Sequence, residues 1–563
     1  MTVSTLDWIV LIAYLALTTI IGLLLGWRIR NTEHYFFGGR SFGKWLMIGQ
    51  TFGVGTHAEM PVAVAGAVYT TGMSAIWFQW KNLFATPFYW LMAPLFRRVR
   101  RMTTAELVDD RYGPGITAIY NVFAVVYFTI NMAGMLKGAG KVISEAVGGA
   151  LPVNQIVIGM TVAFMLYSFV GGLIASAWTN LFQGILILVL SFLLVPLGWS
   201  VVGGMQGMKA ALETFRFSLA TPEGIGPWII LMLTINGVIG IMAMPHIPAS
   251  VGTGKDERAC RLGFFYGSLL KRICTIGWAL VGLIVAAMLA QGKFGGPLPD
   301  PEQAFGFAAR RLLFPGGIGL LVAGILAANM STCSAFMVDS GALFTQGFYR
   351  KYIAPAKSDA HYLRAGRAGG LMITLLGVWY ALFLIDKVLY SFLLTETMAT
   401  YMGISIFGGI VWRGANRWGA VASLVAAMGA NFALYHFRGE RLDHWDANVF
   451  FVSLLAGILA LVIVSLLTRS EPGPRLESFF ARLDAPSDED QSMDSALGGV
   501  EPSAGPKSAA AGRQLLLANV FHLRKGAYGH SLVRAYREDL AGLGMGFLLC
   551  AAMVLSAWLI LRL

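Results

Sequence analysis

Runs of apolar residues as long as a bilayer is thick constrain this chain more than any other feature. Trp8 to Trp27, Ile185 to Val202 and Val449 to Leu467 each come close to the about 20 helical residues that cross hydrocarbon. Hydrophobic residues make up 56% of the 563 and charged residues 13%, so lipid is the solvent for most of the chain. In lipid every backbone donor and acceptor must be paired within the protein, which leaves helices and closed barrels. Barrel strands alternate in polarity every second residue, and these runs do not. The expected fold class is all-α, a polytopic membrane protein in the plasma (inner) membrane.

The hydropathy pattern predicts about 14 transmembrane helices: 7 to 27, 43 to 70, 74 to 97, 116 to 147, 153 to 174, 178 to 203, 226 to 250, 262 to 291, 316 to 347, 364 to 384, 388 to 411, 416 to 437, 446 to 467 and 541 to 562. Basic residues collect in alternate connections: Arg28, Arg30 and Arg40, then Arg97, Arg98, Arg100, Arg101 and Arg111, then Lys255, Arg258 and Arg261, then Arg350, Lys351 and Lys357. That side is expected to be cytoplasmic, with the N-terminus and C-terminus both extracytoplasmic. The first run lacks a basic leader and a small-residue cleavage site, so it is expected to be a retained helix. Dispersed short basic loops explain the net charge of +12 as membrane orientation, with no nucleic acid implied. Four scattered cysteines, Cys260, Cys274, Cys333 and Cys550, suggest neither a disulfide framework nor a metal site.

Residues 1–468 are expected to form the main membrane domain and residues 541–563 the final transmembrane helix. Between them, 469–540 contains Pro472, Pro474, the acidic run Asp488 to Asp490 and the small-residue stretch Ser503 to Gly512. Such a composition cannot bury a core, and it predicts a partly disordered cytoplasmic linker. Leu476 to Leu483 and Leu515 to Leu523 within it are candidates for short amphipathic helices against the membrane or the bundle.

Two spans are interrupted. The span 43 to 70 carries Gly49, Gly53, Gly55 and Pro61, and the span 226 to 250 carries Gly237, Gly240, Pro245 and Pro248. Glycine and proline weaken a helix interior. With the first helix set aside as a prelude, the interrupted spans open two consecutive sets of five. Paired breaks in matching positions point to a transporter site near the bilayer midplane, where unwound carbonyls hold ions. The same glycines are also compatible with close helix packing alone. Ionisable groups near the first break, Glu59 and His57, are candidates for solute contact or proton handling, and equally for structural pairing. Asn236 adjoins the second break, while Asp339 and Glu396 are further intramembrane polar groups. Lys137 and Lys141 lie one helical turn apart and are candidates for an anion, for pairing with Glu145, or for snorkelling.

The segment Tyr35-Phe-Phe-Gly-Gly-Arg-Ser41, with Gly66-Ala-Val-Tyr-Thr-Thr-Gly72 after the broken span, resembles the start of the sodium/solute symporter family. Its members include sodium-coupled sugar, proline and monocarboxylate carriers. Thr104-Ala-Glu106 with Arg111-Tyr112, Gly171-Gly-Leu173 with Trp178-Thr179 and Gln183, Pro245-His246 with Lys255-Asp256 and Arg258, and Ala327-Ala-Asn-Met-Ser-Thr332 with Ser334 extend the resemblance in family order. It implies a LeuT-type five-plus-five inverted repeat spanning about 43 to 411, with one N-terminal and three C-terminal extra helices. The function it implies is symport of a small organic solute with Na+ as coupling ion, in a lipid bilayer and without a cofactor. By position, the sodium ligands would be the backbone carbonyls of Gly53, Thr56 and Ala328 and the hydroxyls of Ser331 and Thr332. A hard cation suits such neutral oxygens, and residues 328, 331 and 332 share a helical face. Ser331 and Thr332 are also placed to bond back to their own helix.

The family's sugar-contacting positions fall at Met60 and Gln79, and Met60 replaces a glutamine used by sugar carriers. Many members have an aspartate where this chain has Asn180, which brings an oxygen without charge and leaves a proton open as the coupling ion. A proton-coupled symporter of the same fold and a transporter-like solute sensor are the alternatives. An enzyme is not expected, because HExxH, partnered GxSxG and clustered metal ligands are missing from every span.

Overall fold

The computed structural model describes residues 4–26, 31–221, 225–385, 387–440, 444–469, 471, 473–485, 515–520 and 536–563. Arg28 and Arg30 of the orientation argument, the acidic run Asp488 to Asp490, the stretch Ser503 to Gly512 and the end of Leu515 to Leu523 lie outside the described residues. Within them the chain is helical, with no strand and only an isolated bridge between Phe42 and Gly254.

α1 (Thr5–Gly26) precedes a short α2 (Thr32–Phe37). The first set of five spans is α3 (Lys44–Gly55) with α4 (Glu59–Thr71), α5 (Trp77–Trp80) with α6 (Thr86–Val99), α8 (Pro114–Ala146) and the two arms of α9 (Val153–Val202). α7 (Thr104–Tyr112) lies between α6 and α8, and α10 (Gly204–Ala211) follows α9. The second set is α11 (Pro227–Gly240) with α12 (Ile247–Val251), α13 (Glu257–Ala290), α15 (Gly317–Ala342), α16 (Asp359–Phe383) and α17 (Val388–Val411), with α14 (Ala304–Leu312) in the connection before α15. α18 (Arg417–Phe437), α19 (Ala447–Leu467), α20 (Gly473–Asp484) and a C-terminal helix, Arg537–Arg562, complete the described chain. Eight described helices are long and apolar enough to cross a bilayer, and Thr5–Ile21, Val153–Leu166 and Pro227–Gly240 are shorter apolar helices.

Both expected interruptions are present, with each set of five opening on a helix in two pieces. Two departures from the sequence expectation have local causes. The turn expected near residues 174 to 178 falls instead at Gly172, where φ is 51° and ψ is −154°. A Cβ there would stand 2.7 Å from the Tyr35 carbonyl oxygen, so only glycine reverses the chain so close to α2. The span 74 to 97 is not continuous either, because its helix relaxes between Trp80 and Thr86.

α13 lies along the broken first span in constant register. Cβ atoms added at Gly263, Gly267 and Gly282 would collide with Met47, Thr51 and Ala65 in turn, so these glycines let the two backbones approach. At the basic end, Arg111 donates to the carbonyls of Gly409 (2.8 Å) and Ala415 (2.7 Å), and Tyr112 to that of Ser405 (2.7 Å). This clamps the carbonyl end of α17, where a cation is favoured.

Of the two amphipathic candidates, the first is α20, which lies on the bundle. Its Phe479, Phe480 and Leu483 are buried, Arg98 donates to the Leu483 carbonyl at 3.0 Å and Arg482 pairs with Asp110 at 3.0 Å. In the second, Leu516–Asn519 is a single helical turn. The C-terminal helix packs on α6, with Gly542 against Trp90 and Gly546 against Pro87, and Arg261 pairs with Asp539 at 2.5 Å.

Candidate functional site

α3 ends because Thr56 turns extended (φ −118°, ψ 101°), and α4 starts afresh at Glu59. A helix end leaves its last carbonyls without intrahelical partners, and here side chains from elsewhere meet them. Ser331 Oγ lies 3.1 Å from the Gly53 carbonyl oxygen and 2.9 Å from that of Ala328. Thr332 Oγ1 lies 3.3 Å from Gly53 O, 3.2 Å from Val54 O and 3.4 Å from Ala328 O. Two hydroxyl protons therefore face three carbonyls, an oxygen-rich cluster short of hydrogen and electrically suited to a hard cation.

Of the five expected cation ligands, Gly53, Ala328, Ser331 and Thr332 are thus brought together in hydrogen-bond contact. Thr56 stands beside them: its Oγ1 is buried without a partner, and it lines, with His57 and Ala328, a cavity of about 30 Å³. That volume admits a water or a bare ion. The back of the cluster is Asn180, whose Cβ would lie 2.7 Å from a Cβ on Gly53 and whose amide donates to Gln50 Oε1 at 2.8 Å.

His57 bridges the break. Its Nε2 lies 2.9 Å from Val54 O and its Nδ1 2.8 Å from Glu59 Oε1. The ring thereby links the freed Val54 carbonyl to the Glu59 carboxyl across the break. Of the expected solute residues, Glu59, Met60, Gln79 and Asn236 are all buried. Glu59 Oε2, Gln79 Oε1 and Asn236 Oδ1 are buried without a hydrogen-bond partner, and Asn236 Nδ2 reaches Thr397 Oγ1 at 3.3 Å. These three oxygens can each accept a hydrogen bond from a bound group.

Trp77 and Trp80 flank Gln79 on α5. Both are buried, donating to the carbonyls of Leu219 (2.7 Å) and Arg272 (3.0 Å). Lys141 bridges Asp300 and Glu302, while Glu145 meets Arg310 at 3.2 Å. Asp339 is buried with neither carboxyl oxygen partnered. Phe336, between Thr332 and Asp339 on α15, packs on His246 (ring centroids 5.0 Å), Phe128 (5.1 Å) and His57 (6.2 Å), covering the breaks toward the basic end.

The sequence reading missed three basic groups. Lys81 is fully buried and pairs with Glu396 at 2.8 Å. Arg272 on α13 is buried and donates to the Gln79 carbonyl at 3.0 Å. Lys271 beside it is buried too. The signal was available, since a lysine or arginine inside an apolar span is expensive enough to be a candidate by default.

A sequence model of the sodium:solute symporter family matches residues 35–427. The osmoregulated proline transporter OpuE of Bacillus subtilis (strain 168) is 24% identical over 465 residues, covering 79% of this chain and 92% of that protein. The sodium/proline symporter of Haemophilus influenzae is 25% identical over 497 residues, covering 82% and 94%. Among solved structures, a Na+-coupled sialic acid symporter in a substrate-bound outward-open state superposes with a TM-score of 0.70 at 16% identity, covering 83% of this chain and 99% of that one. This likeness establishes the LeuT-type fold.

Proposed function

Since the chain belongs to the sodium:solute symporter family, a family of secondary transporters and not of enzymes, we propose that it couples inward sodium flux to uptake of a small organic solute by alternating access. It is a multi-pass plasma membrane protein that uses Na+ as its coupling ion. The observation that carries the site is the cluster of Gly53, Ala328, Ser331 and Thr332 oxygens where the broken first span meets the middle of α15. With Thr56 completing the set, sodium replaces the hydroxyl-to-carbonyl hydrogen bonds by direct coordination and ties α3 to α15. Holding these elements together favours the outward-open state. The solute then binds beside Glu59, Met60, Gln79 and Asn236, a placement supported by the unsatisfied oxygens of Glu59, Gln79 and Asn236. The bundle rocks, Phe336 moves aside, and both cargoes leave toward the basic side. A membrane potential of 100 mV supplies about 2.3 kcal/mol per charge, plus the concentration term.

The basic connections face the cytoplasm in this reading, with both termini outside. Residues 1–468 act as the transporter domain, 469–540 as a cytoplasmic linker that rests α20 on the bundle, and 541–563 as the final span. One observation favours proton coupling as a second reading: the contact between His57 and Glu59, two groups able to carry a proton, at the break itself.

Radiolabelled sodium binding to the purified protein tests the site. Saturable binding lost in Ser331→Ala and Thr332→Ala, with both variants folded, supports it. Unchanged binding in both variants removes these residues from the site.

A further inference from the structure

The register of α13 along the first span sets the level of Lys271. Gly263 packs on Met47, Gly267 on Thr51 and Gly282 on Ala65, so Lys271, one helical turn beyond Gly267, falls beside Gly55 and Thr56 at the break. It is 8% exposed. Trp278, seven residues further and on the same helical face, lines the small cavity together with Thr56, His57 and Ala328. Among the described residues, no hydrogen bond or ion pair reaches the Lys271 ammonium.

Its charged neighbours are Arg272, Glu396, Glu59 and Lys81, and both carboxyls are already engaged. Glu396 holds Lys81 at 2.8 Å. Glu59 holds His57 at 2.8 Å. Three basic groups, Lys81, Lys271 and Arg272, thus share one free-standing carboxylate, Glu396. A buried ammonium without a counter-charge is costly enough that such groups are found paired or bound to something. Gln79 Oε1 and Asn236 Oδ1 are also bare, so the centre offers one unpaired cation and neutral acceptors for the rest of a small molecule.

We propose that Lys271 is the anchor for a carboxylate group of the transported solute, which makes the substrate a small carboxylate-bearing molecule. This rests on the symporter reading above and names the substrate class for the same central site. The lysine places its ammonium against the solute carboxylate, and the solute's charge cancels the excess of positive charge around the break. Entry of the carboxylate supplies the counter-charge that the protein lacks, so solute binding stabilises the closed, water-free centre. Two kinds of molecule carry this chemistry, a plain monocarboxylate and an amino-acid zwitterion. In the second, Glu59 Oε2 would receive the ammonium.

The test uses full-length protein in proteoliposomes with sodium saturating, and labelled propanoate, 2-hydroxypropanoate, proline and glucose as probes, with propanamide as unlabelled competitor. The expected result is uptake of a carboxylate-bearing probe that propanamide does not displace. Uptake of propanoate or 2-hydroxypropanoate assigns a monocarboxylate, and uptake of proline without them assigns a zwitterion. Lys271→Gln is expected to weaken the accepted probe about tenfold or more, with radiolabelled sodium binding retained, and Lys271→Arg to recover part of the loss. Retained sodium binding separates this proposal from the symport reading, which fails only if sodium binding fails. Uptake of glucose in preference to every carboxylate, no uptake of any carboxylate probe while sodium binds, or wild-type carboxylate affinity in Lys271→Gln would overturn it.

Discussion

Replacing Asn180 by aspartate puts a full negative charge behind the oxygen cluster, and the gain in sodium affinity follows from where residue 180 sits. Its Cγ is 3.1 Å from the position of a Cβ on Gly53, and the Gly53 carbonyl is one of the oxygens that Ser331 and Thr332 reach. A cation on that carbonyl lies about 6 Å from a carboxylate at 180. At an effective dielectric of about 20, the attraction is about 3 kcal/mol. Burial of the new carboxylate opposes this, with partial relief from Gln50, whose Nε2 is buried and unpartnered and can turn to donate. A net gain of about 1.4 kcal/mol is tenfold in affinity. The assay is the sodium concentration giving half-maximal solute uptake in proteoliposomes, which should fall about tenfold or more in Asn180→Asp. A value within about twofold of wild type, in a variant of unchanged thermal stability, would refute the placement of the cation beside Gly53.

Three further outcomes are expected. Glu396→Leu leaves the fully buried Lys81 without its partner and should cost about 3–5 kcal/mol, whereas Lys81→Met with Glu396→Leu should recover most of it, read as melting temperature in detergent. Glu106 closes the capping box of α7, outside the spans, and burial holds its carboxyl above the ordinary 4.5 despite Arg101 nearby. A carboxyl raised on folding weakens the fold as pH climbs through its folded value. Glu106→Gln, which retains the cap, should therefore melt higher than wild type near neutral pH and lose that advantage below 4.5. Arg261→Ala removes the partner of Asp539, both nearly buried, and should make the C-terminal helix protease-sensitive before the rest of the chain.

The parts of this fold written in runs of residues were readable in the sequence. Bilayer-length apolar stretches predict the helices, and paired glycine and proline clusters predict that the first and sixth core spans break. The site is legible where a motif carries it, as with Ala328, Ser331 and Thr332, whose helical spacing already puts them on one face. Where a break falls within its cluster depends on tertiary partners: Thr56 turns extended because Ser331, Thr332 and His57 meet the freed carbonyls from outside α3. The reversal at Gly172 depends likewise on how closely Tyr35 approaches. Lys271 and Lys81 carry no motif, and their meaning lies in which charges they face after α5, α13 and α17 come together. Nothing local in the sequence records that Lys81 finds Glu396 and Lys271 finds no one.

Solute uptake into proteoliposomes under imposed gradients tests symport most directly. With an inward sodium gradient and no pH difference, accumulation of the accepted solute above its external concentration is expected, abolished in Thr332→Ala. Accumulation driven by an inward proton gradient alone, with sodium absent on both sides, would contradict the sodium assignment and move the coupling ion to the His57–Glu59 pair.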